Sequence, residues 1–137
     1  MELQVGVKIF LKNKDGRILL LKRNPKKYPH VGDELWDIAG GRIDAGMPLM
    51  DNLKREVHEE TGMDLAGTPK LIAAQDILKV AGKHVVRLTY VGNASGDPVL
   101  DTEHTDFGWF TIEEILQLHG LDRFAKEVAL REKENIG

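Results

Sequence analysis

The sequence predicts an α/β domain whose mixed β-sheet is sandwiched between helices, and three observations carry that prediction. Short β-rich apolar runs recur along the chain, one strongly periodic helix interrupts them, and helical patterns close the C-terminal end. The 137 residues, 42% of them hydrophobic, are the size of one ordinary domain, and no repeat or Pro- or Ser-rich linker divides them. A single domain over residues 1–137 is therefore expected.

Val5 to Leu11 and Arg17 to Arg23 are apolar β-rich runs around Asn13-Lys14-Asp15-Gly16, where Asp-Gly supplies a tight turn, so they are expected to form a hairpin. Asn24 to Asp33, with two prolines and a glycine, reads as a loop. Glu34 to Ala39 reads as a short strand ending at Gly40-Gly41, where the backbone can come close to another group. Pro48 to Thr61 is the clearest helix: Pro48 suits a first helical position, Leu49, Leu53 and Val57 recur every four residues, and Gly62 can end it in a left-handed conformation. Leu71 to Val80 and His84 to Val91 are expected to be strands around Ala81-Gly82-Lys83, although the composition of the first also permits a helix. Phe107 to Phe110 is the last expected strand. Thr111-Ile112-Glu113-Glu114 is a capping-box signature opening a helix through Leu118, and an amphipathic helix follows from Asp122 to Glu134.

Composition excludes several functions. Lys plus Arg number 19 and Asp plus Glu 22, a net charge of −3, which is too balanced for a dedicated nucleic-acid or membrane-surface binder. With no cysteine there is no disulfide, no thiolate metal site and no thiol nucleophile, and a cytoplasmic location is expected. The first residues lack the apolar core of a signal peptide, and no apolar run approaches the ~20 residues of a membrane span.

The chemistry is concentrated in the central helix. At ~3.6 residues per turn, Glu56, Glu59 and Glu60 stand at i, i+3 and i+4, so their carboxylates share one side. They also occupy the last turns, where the helix dipole disfavours negative charge. A divalent cation such as Mg²⁺ or Mn²⁺ would resolve that conflict, because hard ions take oxygen ligands. A solvated acidic face, offset by Lys54, Arg55 and His58, is the other reading of the triplet taken alone.

Its surroundings favour the metal. Gly41-Arg42-Ile43-Asp44-Ala45-Gly46-Met47 followed by Arg55-Glu56-Val57-His58-Glu59-Glu60-Thr61-Gly62-Met63 closely resembles the Nudix box, a long gapped pattern that matches at its glycines, its Arg-Glu-aliphatic step and its paired glutamates. Trp36 ahead of Gly40-Gly41, the Leu19 to Arg23 strand, and Glu103-His104 upstream of Trp109-Phe110 extend the likeness over nearly the whole chain. Two positions depart: Met47 stands where the box has its first glutamate, and Ala39 where a proline is often seen. The first change suggests altered metal number or reduced rate, with Asp44 near enough in sequence to substitute partly.

The resemblance implies the Nudix fold and a pyrophosphohydrolase acting on a nucleoside diphosphate linked to another group. Glu56, Glu59 and Glu60 would hold Mg²⁺ or Mn²⁺, joined by the backbone carbonyl of Gly40, with Gly41 facing the substrate. Arg55 is placed to orient the glutamates, pairing with Glu59 at i+4. The base that activates water is either Glu56 or the loop residue Glu103, which could also be an extra metal ligand. Arg23 is a candidate for a bidentate phosphate contact. Trp36 could stack on a base, its alternative being core packing. The partner is thus a small nucleotide-type diphosphate, and homodimerisation is compatible with the family although no segment announces an interface. The competing function is a catalytically silent Nudix domain that binds a nucleotide as a sensor; the isomerase branch of the family is discounted because its chemistry needs a cysteine.

Overall fold

The computed structural model describes residues 1–137. In chain order the elements are β1 (Glu2–Lys12), β2 (Ile18–Arg23), β3 (Trp36–Asp37), β4 (Ala39–Arg42), α1 (Leu49–Thr61), β5 (Leu65–Ile77), β6 (Lys83–Ala94), β7 (His104–Phe110), α2 (Ile112–Gln117), α3 (Arg123–Arg131) and α4 (Lys133–Ile136). The seven strands form one mixed sheet, ordered β3-β2-β1-β6-β5, with β4 paired to β1 and β7 paired to β2.

Strand alternation explains why this sheet needs helices on both faces. On β1 and β2, Val7, Ile9, Leu11, Leu19 and Leu21 join Leu53 and Val57 of α1 in one core cluster. Phe10, Ile18 and Leu20 point the other way, into a second cluster with Ile112, Ile115, Ala125 and Val128 from the C-terminal helices. The unbroken apolar runs of the first two strands are therefore two interleaved sets of core residues, and the expected α/β layering holds.

The expected first hairpin survives only at its mouth. Asn13 Oδ1 accepts the amides of Asp15 and Arg17, both at 3.0 Å, and closes the turn, yet Lys12↔Ile18 is the sole β1–β2 pair in register. Beyond it the strands part, because β4 takes the β1 edge from Gly6↔Arg42 to Ile9↔Ala39 while β2 pairs with β3 and with β7. The opposite edge of β1 runs parallel to β6 over its whole length, from Glu2↔Lys83 to Lys12↔Asn93. The sheet is thus curled, and a cleft opens where its two halves diverge.

Other boundaries shift for local reasons. The strand expected over Glu34 to Ala39 divides at Ile38 into β3, paired with β2, and β4, which runs on through Gly40 and Gly41 to Arg42 because both glycines stay in the ladder with β1. Pro48 caps α1 with ψ 151° instead of opening it, and Gly62 ends it with φ 68° as expected. Of the segment Leu71 to Val80, Leu71 to Ile77 is strand, the end of a longer β5 that pairs antiparallel with β6, and Leu78 to Val80 fall in the turn that follows. Thr111 and Glu114 complete the capping box of α2. The last helix divides at Glu132, whose φ of −113° breaks it and lets Ile136 turn into the second core. No helix is long and apolar enough to cross a membrane.

Candidate active site

The site is built where the second half of α1 lies against β4. A fully buried Asn52 ties the preceding loop to the helix: its Oδ1 accepts the Asp44 amide at 2.8 Å, and its Nδ2 donates to the carbonyls of Met47 and Pro48 at 2.8 and 3.0 Å. One turn on, Arg55 donates to Asn52 Oδ1 at 3.0 Å, Glu56 Oε1 at 3.1 Å, Glu59 Oε2 at 3.3 Å and the Arg42 carbonyl at 3.3 Å. A planar guanidinium with five donors can make that set of bonds, whereas an ammonium cannot. Asn52 carries no charge and stands outside the acidic pattern, so only its Asn type at a helix start hinted at a role.

The two glycines of β4 admit the carboxylates. Gly40, with φ 131°, donates its amide to Glu60 Oε1 at 2.7 Å, and a Cβ at that position would lie 2.0 Å from the Val7 carbonyl oxygen. At Gly41 a Cβ would lie 2.7 Å from Glu56 Oε2. Any side chain at either position would displace backbone or a carboxylate. Glu56 and Glu60 therefore turn inward, onto successive residues of one strand, while Glu59 stays 57% exposed and is held by Arg55.

Burial pushes the Glu60 carboxyl up to about 8; Glu56 and Asp101 add to the rise, and Lys8 and the Gly40 amide oppose it. The Glu56 carboxyl is also raised, first by burial and further by Glu59, against the pull of Arg55. Glu60, Asp101 and His104 each bring a ligand atom within 4.8 Å of the others. Carboxylate and imidazole donors converging on a buried, electrostatically disfavoured carboxylate fit a divalent cation.

Beside this cluster is a cleft of about 240 Å³, lined by Lys8, Arg23, Asp37, Gly40, Glu60 and Arg87 among others. Asp37, almost fully buried, accepts from Lys8 Nζ at 2.8 Å and from Arg23. Burial alone would raise its pKa, but Lys8, Arg23 and Arg87 hold it well below the usual carboxylate range. Arg23 also donates to the Glu34 carbonyl at 3.1 Å and lies over the Tyr28 ring at 5.6 Å.

The model of the NUDIX domain family matches residues 2–131 of this chain. The chain belongs to the Nudix family of hydrolases, which act on phosphorus-containing anhydrides. Among solved structures the domain is similar to a MutT NUDIX hydrolase from Burkholderia pseudomallei, at 29% identity and TM-score 0.80 over 95% of this chain and 98% of the other. It is likewise similar to a MutT protein from Methanosarcina mazei Go1, at 25% identity and TM-score 0.81 over 97% and 95% of the two chains. A Bacillus subtilis (strain 168) protein named "Putative 8-oxo-dGTP diphosphatase" is 38% identical over 66 residues, a match that spans 48% of this chain and 40% of the relative.

In this Nudix domain the residues singled out from sequence are not all brought together. Arg23 and Gly41 line the cleft. Trp36 does not; it meets Phe110 edge-on at 5.8 Å and packs against the second core cluster, the packing alternative. Glu103 is exposed, and its carboxylate accepts the Tyr28 hydroxyl at 3.1 Å. Its neighbours Asp101 and His104, bonded to each other at 2.7 Å, reach Glu60 instead, because β7 begins at His104 and pins that residue opposite Arg23. Asp101 was not foreseen, and nothing in the run Asp101-Thr102-Glu103-His104 marks which acid turns inward. Asp44, the suggested substitute for the glutamate missing at Met47, lies 3.4 Å from Arg55 and is mostly exposed.

Proposed function

We propose that this Nudix domain is a divalent-metal-dependent pyrophosphohydrolase that cleaves the diphosphate linkage of a nucleotide-type substrate. The observation that carries the reading is the group around Glu60: a carboxylate 7% exposed, with ligand atoms of Asp101 and His104 converging on it and Glu56 nearby, is a donor set that a divalent cation would hold in its charged form. Glu56, Glu59 and Glu60, with the Gly40 carbonyl, are the groups proposed to hold Mg²⁺ or Mn²⁺, and Asp101 and His104 replace Glu103 as the extra donors. Bound there, the ion would supply the positive charge that stabilises a diphosphate as its bridging bond breaks.

The chain's own groups do the rest. Arg55 fixes Glu56 and Glu59 through bonds of 3.1 and 3.3 Å, so that neither rotamer has to be ordered when substrate arrives. Glu56, half-buried and with a raised pKa, is the better-placed acceptor for a proton from attacking water. Glu103, whose carboxylate accepts the hydroxyl of the cleft residue Tyr28, is the loop alternative. The name of the Bacillus subtilis relative, "Putative 8-oxo-dGTP diphosphatase", puts oxidised nucleoside triphosphates first among the candidate substrates to assay, ahead of nucleotide sugars and dinucleoside polyphosphates.

The test is a nucleotide panel incubated with Mg²⁺ or Mn²⁺, with products identified by which phosphorus was attacked. Turnover that vanishes on chelation and in Glu59→Gln and Glu60→Gln is expected. Tight nucleotide binding with no product from any member would replace this reading with the sensor module.

A further inference from the structure

Five charged side chains meet at the cleft floor, none more than 14% exposed: Lys8 of β1, Arg23 of β2, Asp37 of β3, Arg87 of β6 and Asp122 ahead of α3. Three are cations and two are anions, and Lys8 also faces the Glu60 carboxyl across the cleft, so the charges are matched in number and what distinguishes the cations is their free donors. Buried ionic clusters are stable only when every charge and every donor is answered.

The acids of this cluster are saturated. Asp37 takes Lys8 and Arg23 on Oδ2 and the Ile38 amide on Oδ1 at 2.8 Å. Asp122 takes Arg23 on one oxygen at 3.4 Å, and on the other Arg87 at 3.0 Å together with the amides of Phe124 and Ala125. The donors are not saturated. Arg87 engages only Nη1, on Asp122, with its guanidinium held over the Phe124 ring at 5.5 Å. Its Nε and Nη2 have no protein partner and are not sealed from solvent, and the residue lines the cleft. Lys8 bonds Asp37 and the Ile38 carbonyl, which leaves one ammonium hydrogen free.

Between these two cations the floor is bare. Gly6 sits beside Arg87 in the parallel β1–β6 register and two residues before Lys8, on the same strand face. A Cβ there would meet nothing closer than the Gly41 carbonyl oxygen at 3.6 Å. The space is therefore available to a ligand and is not required by the packing. A guanidinium with two free donors and an ammonium with one, lining the same cleft, offer the kind of donors that phosphate oxygens take.

We propose that Lys8 and Arg87, across the bare backbone of Gly6, form a second anion subsite that takes a phosphate-type group other than the diphosphate under attack. The identity of that group as part of the substrate rests on the hydrolase reading; the existence of the subsite does not. Substrates that carry an additional phosphate on the moiety remote from the scissile bond would be preferred over those that do not.

Two measurements test this. In the first, inorganic phosphate is titrated into protein held metal-free with chelator, and backbone amide resonances are followed. Saturable shifts centred on Gly6, Lys8 and Arg87 are expected, weakened about tenfold or more in Arg87→Gln, partly restored in Arg87→Lys, and abolished in Gly6→Val. Gly6→Val leaves every charge in place and keeps the question open to measurement if Arg87→Gln fails to fold. Shifts confined to residues 56–62, or none at all, overturn the subsite. In the second, kcat/KM is compared for a substrate with and without the extra phosphate. The preference should fall about tenfold in Arg87→Gln; an unchanged ratio with intact phosphate binding shows that free phosphate, and not substrate, uses the site, and overturns the substrate assignment. A protein that yields no metal-dependent product from any substrate sinks the hydrolase reading while leaving the first measurement to decide the subsite.

Discussion

Replacing Glu60 with glutamine should stabilise the metal-free protein in alkaline solution, the reverse of what removing a buried partner normally does. Glu60 Oε1 accepts the Gly40 amide at 2.7 Å, and a glutamine carbonyl can keep that bond while discarding the charge. The folded-state pKa of about 8, against an ordinary carboxyl value of 4.5, fixes the sign. Because the folded value is the higher one, the contribution of Glu60 to stability is present in full below pH 4.5, declines as the unfolded chain ionises first, and is gone once the pH passes about 8. At 1.36 kcal/mol per pKa unit the swing is on the order of 5 kcal/mol, and for a chain of this size that is roughly 15 °C in Tm. The assay is thermal unfolding in chelator at pH 6 and pH 9, for the wild type and for Glu60→Gln, repeated with Mg²⁺. The wild type should lose most of that span between the two pH values and recover it with Mg²⁺. Glu60→Gln should lose clearly less over the same pH range, keeping only the share that the raised Glu56 carboxyl contributes, and should recover less with Mg²⁺. A metal-free wild type equally stable at both pH values, or more stable at the higher one, would refute the claim that burial is what raises this carboxyl.

Further outcomes follow from the same geometry. Asp37→Asn should cost ~3–5 kcal/mol in denaturant unfolding, because Lys8 and Arg23 are left buried beside a neutral group; the lowered Asp37 pKa means that the wild-type pair loses its contribution only as pH falls below the ordinary carboxylate range. Trp36→Ala should cost ~3 kcal/mol through its lost contact with Phe110, while the KM of the best substrate stays unchanged; a KM increase of tenfold or more would restore Trp36 to the binding surface. Arg55→Lys should weaken metal binding ~10–100-fold by calorimetric titration, since one ammonium cannot span Asn52, Glu56, Glu59 and the Arg42 carbonyl.

What was legible in the sequence is what short-range geometry decides. The spacing of Glu56, Glu59 and Glu60, the Arg55–Glu59 pair, the Gly62 stop and the capping box at Thr111 all follow from dihedral preferences and the helical repeat, which act over a few residues, whereas the need for glycine at 40 and 41 comes from Val7 and Glu56 packed against them. Tertiary structure decided everything that depends on which strand lies beside which. The sequence could not show that β4 would displace β2 from the edge of β1, and that substitution is what opens the cleft. Nor could it show that Asp101 and His104 lie against Glu60 while Glu103 meets Tyr28, because those directions are set by where β7 enters the sheet. Lys8 and Asp37 are 29 residues apart, Arg87 and Asp122 are 35 apart, and Arg23 and Asp122 are 99 apart. Read along the chain only Arg23 stands out among them, and the packing of β1, β2, β3, β6 and the start of α3 against one another is what gathers all five at the cleft floor.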